Sequence, residues 1–298
     1  MRRRNARLER PPLRDFDGHP YPERSLTLSD GAGITWVDVG EGSPVLMIPG
    51  ADGVKETWRH QIPAFARRHR VIAGDLRSEF PPDADFDLFV RDALELLDEA
   101  GVERASVVGQ SLGGPVAMRL AMRHPDRVRA LVLSNTLARV SYGHVGLNRT
   151  LLAPVAMAST RYLPTSLSRA LAGLWSRHAV WIFDDSPGSE SVVEYALGTG
   201  PRTVPPAVSS RRVDLFRGID LRPELDRVRA PTLVVKGPRD AYTPPRWSRE
   251  IAAGIPDSAY VEVPETGHCS HVSMPGRFNR VVIDWLEAVE ERLAEEST

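Results

Sequence analysis

The stretch Ser106-Val107-Val108-Gly109-Gln110-Ser111-Leu112-Gly113-Gly114-Pro115-Val116-Ala117-Met118 decides how the rest of the chain is read. Residues 106–109 are a short apolar run of the kind that forms a strand buried on both faces. Apolar residues then recur at Val116, Ala117, Leu120 and Ala121, the stripe of a helix, and Pro125 stops it. Between strand and helix there is room only for a sharp reversal. A G-x-S-x-G pattern alone is common by chance. In this setting it has a mechanism: the turn forces Ser111 into a strained backbone, and the glycines two residues to either side keep the neighbouring strand and helix from clashing. The helix N-terminus after Ser111 also places the positive end of its dipole beneath any oxyanion formed there.

Working outward, short apolar runs alternate with amphipathic segments from about residue 25 onward, the pattern of a sheet with crossover helices. Residues 26–28 and 34–39 flank Asp30-Gly31-Ala32-Gly33 and read as a hairpin. Residues 45–48, 71–73, 106–109, 130–134, 232–235 and 260–263 complete eight expected strands, six of them parallel and central. Phe86, Phe89, Val90, Ala93, Leu94 and Leu97 share one helical stripe ended by Gly101, and Val281, Val282, Trp285, Val289 and Leu293 share another. Glu287, Glu290 and Glu291 give that last helix a solvated outer face. The expected fold class is therefore α/β: a mostly parallel eight-stranded sheet with helices on both faces. Between about residues 137 and 221 apolar residues continue but strand-like runs cease. Residues 137–221 are accordingly expected to be a helical cap inserted after the sixth strand, into a core made of residues 25–136 and 222–298.

Residues 1–24 carry Arg2, Arg3, Arg4, Arg7 and Arg10 and are expected to be a flexible, solvated tail. Pro11, Pro12, Arg14 and Asp15 follow where a twin-arginine export signal would need an apolar region. The 298 residues carry 39 acidic and 38 basic groups, a formal net charge of −1, which disfavours a phosphate-neutralising nucleic-acid partner. Apolar residues at 42% and charged residues at 26% exclude collagen-like, disordered and coiled-coil classes. Only Lys55 and Lys236 are lysines; the arginines are spread through every segment, which reads as codon bias. A lone cysteine, Cys269, cannot form an internal disulfide, and no apolar run approaches the roughly 20 residues of a membrane span. A cytoplasmic location is the expectation.

Over roughly residues 25–290 the chain resembles the α/β-hydrolase superfamily. The turn at Ser111 carries the resemblance, together with Gly101-Val102-Glu103-Arg104-Ala105 before its strand and His124-Pro125-Asp126-Arg127-Val128 after its helix. A serine hydroxyl is a weak nucleophile and needs a base within hydrogen-bond reach. Pro264-Glu265-Thr266-Gly267-His268, with Met274-Pro275 downstream, is similar to the family's final loop and puts that role on His268. His271 is the rival, without the preceding glycine and at the start of the next helix. Gly237-Pro238-Arg239-Asp240-Ala241-Tyr242-Thr243-Pro244 resembles the family's G-x-x-D-x-x-x-P turn and puts the acid on Asp240; the alternative is a helix-capping aspartate. The chain order Ser111, Asp240, His268 is the order the resemblance requires. Cys269 reads as a small buried filler.

Acyl transfer builds charge on the former carbonyl oxygen, and two backbone N–H groups normally meet it. The resemblance implies Leu112 and Ala51. It also implies a His-Gly pair before the second donor, where this chain has Pro49-Gly50, which leaves open what anchors the loop. Asp52 either contacts substrate or shapes the Asp52-Gly53 turn. After Asp75 the family's glycine-rich stretch is replaced by Leu76-Arg77-Ser78-Glu79-Phe80-Pro81-Pro82. Both departures are similar to the maspardin-like branch, whose animal members lack a complete triad. The implied activity is hydrolysis of a carboxylic ester, thioester or lactone of a small acyl substrate through an acyl-serine. Carbon–carbon hydrolysis, acyl transfer and a non-catalytic scaffold are the alternatives. Trp175, Trp181 and Phe183 in the expected cap suit either an apolar acyl or aromatic substrate or the packing of the cap itself. No nucleotide fingerprint, phosphate loop or zinc spacing is present, so neither a cofactor nor a metal is expected.

Overall fold

Strands whose every residue is apolar or small need cover on both sides, and parallel pairing with crossover helices provides it. The computed structural model describes residues 10–139, 163–164, 166–167, 170–171, 187–199, 203–240 and 242–296. It contains one sheet built from β1 (Arg24–Thr27), β2 (Gly33–Val39), β3 (Ser43–Ile48), β4 (His69–Gly74), β5 (Ala105–Gln110), β6 (Val128–Ser134), β7 (Thr232–Lys236) and β8 (Ser258–Glu262). The order across the sheet is β1-β2-β4-β3-β5-β6-β7-β8. β1 and β2 form the expected antiparallel hairpin, with Leu26 opposite Ile34, and β2 runs antiparallel to β4. The other six strands are parallel, as expected, although β8 ends the sheet rather than lying inside it.

Helices cover both faces. α2 (Leu88–Glu99) and α3 (Gly113–Arg123) bury Phe89, Leu97, Val116 and Leu120 against Leu46, Val107 and Leu133 on one side. Gly101 ends α2 in the left-handed region at φ +64°, where Val102 N donates to Leu97 O at 2.8 Å. On the other side lie the short α1 (Ile62–Phe65) and, later in the chain, a 22-residue helix, Pro275–Glu296. Its fully buried line is Phe278, Val282, Leu286 and Val289, whereas Val281, Trp285 and Leu293 are only partly covered. The stripe is thus rotated from the expected one, because helix register against a sheet is set by which side chains fill the groove, and Phe278 and Leu286 fill it.

Between β6 and β7 the described residues contain no strand. They form α4 (Ser189–Gly198) and α5 (Pro206–Leu215). Arg139 and Asp220 pair as a bridge and Leu221 N donates to Ala138 O at 2.8 Å, so the chain leaves and re-enters the sheet region at one place. Among the described residues, α6 (Pro245–Gly254), α7 (Ser270–Ser273) and α8 (the helix Pro275–Glu296) follow β7 and β8. Residues 10–23 differ from the expected solvated tail. Leu13 is buried in the sheet core, Tyr21 N bonds Leu13 O, and Arg10 forms a bidentate pair with Asp75 while also reaching Glu56. No helix among the described residues is long and apolar enough to cross a membrane.

The winding reverses at β3, which has β4 on one side and β5 on the other. Loops leaving the carboxyl ends of β3 and β5 therefore diverge and open a crevice, the usual ligand position in an open parallel sheet. Leu286→Ala should cost about 2–5 kcal/mol in chemical denaturation. Glu287→Ala, which loses only a surface pair with Arg68, should cost less than about 1 kcal/mol. Equal costs would contradict the stated register of α8.

Candidate active site

Ser111 stands at that crevice, between β5 and α3, with φ +51°. The left-handed conformation is held by backbone bonds: Ser111 N donates to Ser134 O at 3.0 Å and Gly114 N donates to Ser111 O at 3.0 Å. Thr136 Oγ1 also donates to Ser111 O. The flanking glycines are required by close approach rather than by their own torsions. A Cβ on Gly109 would lie 2.5 Å from Gly113 O, and one on Gly113 would run into Ile48 O at the end of β3.

The structure brings Ser111, His268 and Asp240 together. Ser111 Oγ lies 3.0 Å from His268 Nε2, and His268 Nδ1 lies 2.9 Å from Asp240 Oδ2. With the imidazole neutral and its proton on Nδ1, the hydroxyl donates to the ring and the ring donates to the carboxylate. The edge of Tyr242 packs against the imidazole, ring centroids 5.0 Å apart. His271 lies elsewhere: its Nε2 is 3.0 Å from Thr57 Oγ1, and its ring stacks at a tilt on Trp58. Cys269 is buried in a small apolar cluster with Val192, Val193, Leu197 and Val272, so α4 rests on the loop that carries His268.

Asp240 is fully enclosed, and its carboxylate is saturated with donors. Oδ1 accepts the N–H groups of Tyr242 and Thr243, each at 2.8 Å; Oδ2 accepts from His268, Thr243 Oγ1 and Lys236 Nζ. Burial alone would raise its protonation point. The neighbouring His268 and Lys236 overcome this and hold Asp240 well below the usual carboxylate range. Lys236 also donates to Thr243 Oγ1 at 2.9 Å and to Thr243 O, and burial pulls its ammonium down from the ordinary lysine value.

Two residues that hold this arrangement lie outside the motifs legible in the sequence: Lys236 and Asn135. Asn135 joins the acid and base loops, accepting from Gly237 N at 2.8 Å and donating to Ser270 Oγ at 2.7 Å. The available signal for Lys236 was its rarity: both lysines of this arginine-rich chain are buried. The loop Pro49-Gly50-Ala51 passes directly over Ser111, since a Cβ on Gly50 would sit 3.3 Å from Ser111 Cβ. Ala51 follows Gly50 in this loop, and Leu112 follows Ser111 directly in the chain. Asp52 is half-buried and accepts a hydrogen bond from Tyr195 Oη on α4. Burial pushes the Asp52 carboxyl up and the Tyr195 hydroxyl well above its ordinary value, which keeps the tyrosine a donor. Trp175, Trp181 and Phe183 lie outside the described residues. Asp15, Asp17 and His19 bring one potential metal-ligand atom each within 4.8 Å, in a surface turn far along the chain from Ser111.

Burial drops His271 to about 3, so this ring enters the folded protein neutral. The unfolded chain takes up its proton below about 6.5, the folded one only near 3, so the stability it contributes is present above 6.5 and drains away as pH falls between them. His271→Gln should therefore flatten the acid-side loss of unfolding free energy by about 1.4 kcal/mol per pH unit between pH 6 and 4. An unchanged slope would show that His271 is protonated in the folded state.

The sequence profile of the alpha/beta hydrolase fold matches residues 43–275. A putative carbamate hydrolase RutD of Azorhizobium caulinodans is 32% identical over 263 residues, 85% of this chain and 94% of the relative. The 2-hydroxy-6-oxo-6-phenylhexa-2,4-dienoate hydrolase of Burkholderia cepacia is 26% identical over 84% of this chain and 89% of its own length. Among solved structures, a hydrolase from Pseudomonas aeruginosa superposes with a TM-score of 0.68 at 28% identity, covering 89% of this chain and 98% of that one. With its eight-stranded sheet, its turn at Ser111 and these relatives, the chain belongs to the alpha/beta hydrolase family.

Proposed function

We propose that the protein is a serine hydrolase that cleaves a carboxylic ester, thioester or lactone through an acyl-Ser111 intermediate. The observation that carries this reading is the unbroken hydrogen-bond chain from Asp240 through His268 to Ser111 Oγ, with distances of 2.9 and 3.0 Å. His268 takes the hydroxyl proton as Ser111 Oγ attacks the acyl carbon, then returns it to the leaving group. Asp240 holds the imidazole in the tautomer that leaves Nε2 free to accept, and stabilises the imidazolium. The N–H groups of Ala51 and Leu112 receive the oxyanion, and a second pass with water as nucleophile releases the acid. In this reading residues 137–221 form a cap over the pocket, and Asp52 with Tyr195 presents a polar wall beside Ala51.

The names of the relatives bear on the bond that is cleaved. A putative carbamate hydrolase and a dienoate hydrolase are similar in sequence to this chain over most of its length, so carbon–carbon hydrolysis on the same three residues is the second reading. The scaffold alternative is disfavoured because the acid, base and hydroxyl are all present at hydrogen-bond distance.

A fluorophosphonate probe should label the wild-type protein and leave Ser111→Ala unlabelled. His268→Ala should lower p-nitrophenyl ester turnover at least about a thousandfold with the thermal midpoint little changed. Labelling that survives Ser111→Ala, or full turnover in His268→Ala, contradicts the assignment. Graded acyl lengths in the same ester series report pocket depth, and inactivity on all esters with turnover of a vinylogous diketone favours the carbon–carbon reading.

A further inference from the structure

Arg212 lies on α5, 160 residues along the chain from Asp52, yet its guanidinium is buried against the loop that follows β3. Nη1 donates to Asp52 O at 2.5 Å and reaches Ala51 O at 3.5 Å. Nη2 donates to Leu76 O at 2.7 Å and Arg77 O at 2.9 Å, with Ser78 Oγ at 3.5 Å, and Nε donates to Arg77 O at 3.1 Å. These partners belong to two loops, one after β3 and one after β4, which are further joined by Leu76 N donating to Gly53 O at 3.0 Å. Burial pulls the guanidinium down to about 10, so it remains charged at neutral pH, with Asp52 and Asp75 as its nearest opposite charges.

A buried charge that meets backbone carbonyls rather than a carboxylate is costly unless every donor is used, and this one spreads its donors over the two loops. Gly53 is shaped to receive it: at φ +62°, a Cβ there would run into Nη1. Position 49 is a proline, which offers no side-chain donor to brace the loop from within. The bracing comes instead from across the crevice.

We propose that Arg212 is the positioning residue of the oxyanion loop. By gripping the carbonyls of Ala51 and Asp52 it fixes two successive peptide planes, and so limits rotation of the adjoining plane that carries Ala51 N–H. Tyr195, donating to the Asp52 carboxylate from α4, is a second tie from the same inserted stretch. The donor at Ala51 is then in place only while α4 and α5 sit on the carboxyl ends of the strands, which couples coverage of the pocket to readiness for chemistry. This inference rests on the serine-hydrolase reading and adds to it the part that assembles the oxyanion site.

The test uses the full chain, p-nitrophenyl acetate, and a fluorophosphonate to count active sites. In Arg212→Met, kcat per titrated site should fall at least thirtyfold while KM stays within threefold, because the loss is felt when charge develops and not when substrate binds. Phosphonylation of Ser111 should slow in parallel. A kcat per titrated site within threefold of wild type, even with a lower thermal midpoint, would mean that Arg212 only supports the fold. Arg212→Lys keeps the charge but reaches fewer carbonyls. If the methionine variant does not fold, a fivefold or greater loss of kcat in Arg212→Lys supports the proposal and a smaller one overturns it. If wild-type protein neither turns over ester nor takes the probe, the hydrolase reading fails separately. The clamp is then judged by amide exchange at residues 51–53, which should quicken in either variant and would overturn the proposal if unchanged.

Discussion

A single backbone torsion, the +51° φ of Ser111, is the constraint from which the rest of the site follows. A side chain in the left-handed region costs about 1–3 kcal/mol and persists only where its surroundings over-determine it. Here they do. β5 ends in the middle of a mostly parallel sheet, α3 starts three residues later, and Gly109 and Gly113 let the strand end, the helix start and the tip of β3 meet without side chains between them. The outcome is a hydroxyl lifted clear of the sheet edge where β3 changes the direction of winding. That placement leaves the loops after β7 and β8 free to bring Asp240 and His268 to it, while Gly50 of the loop after β3 passes close by.

The electrostatics around this point are built from buried groups that satisfy one another. Asp240, His268 and Lys236 have almost no contact with water, and the carboxylate between the imidazole and the ammonium accepts five hydrogen bonds. Such a cluster adds little net stability over an apolar core of the same volume, but removing one member leaves a buried charge uncompensated. Its value lies in rigidity. A carboxylate fixed on both oxygens fixes the imidazole, and the imidazole lies at hydrogen-bond distance from the Ser111 hydroxyl. Arg212 applies the same economy to the opposite wall, with carbonyls in place of a carboxylate.

What was legible in the sequence was local. Ser111, Asp240 and His268 each sit in a turn whose glycines and prolines mark it within eight residues, and the strands other than the mostly polar β1 show as runs of apolar residues. The residues that brace them are not legible, because their partners are remote: Asn135 bonds to Gly237 and Ser270, and Arg212 to Asp52 and Arg77. One arginine among dozens carries no mark of its burial. The same limit explains the differences in the fold. Leu13 and Arg10 look like part of a charged tail until Asp75 and the sheet core supply their partners. On α8, periodicity gave the existence of an apolar face, whereas the choice of Leu286 over Trp285 as its centre depends on the groove it fills.

The most direct measurement of the central claim is a crystal structure of the protein after reaction with a phosphonate ester. The account predicts a covalent bond from Ser111 Oγ to phosphorus, with the phosphoryl oxygen about 3 Å from both Ala51 N and Leu112 N. His268 Nε2 should face the leaving-group side, and Arg212 should still hold Asp52 O. An adduct on another residue, or a phosphoryl oxygen turned away from both amides, would contradict it.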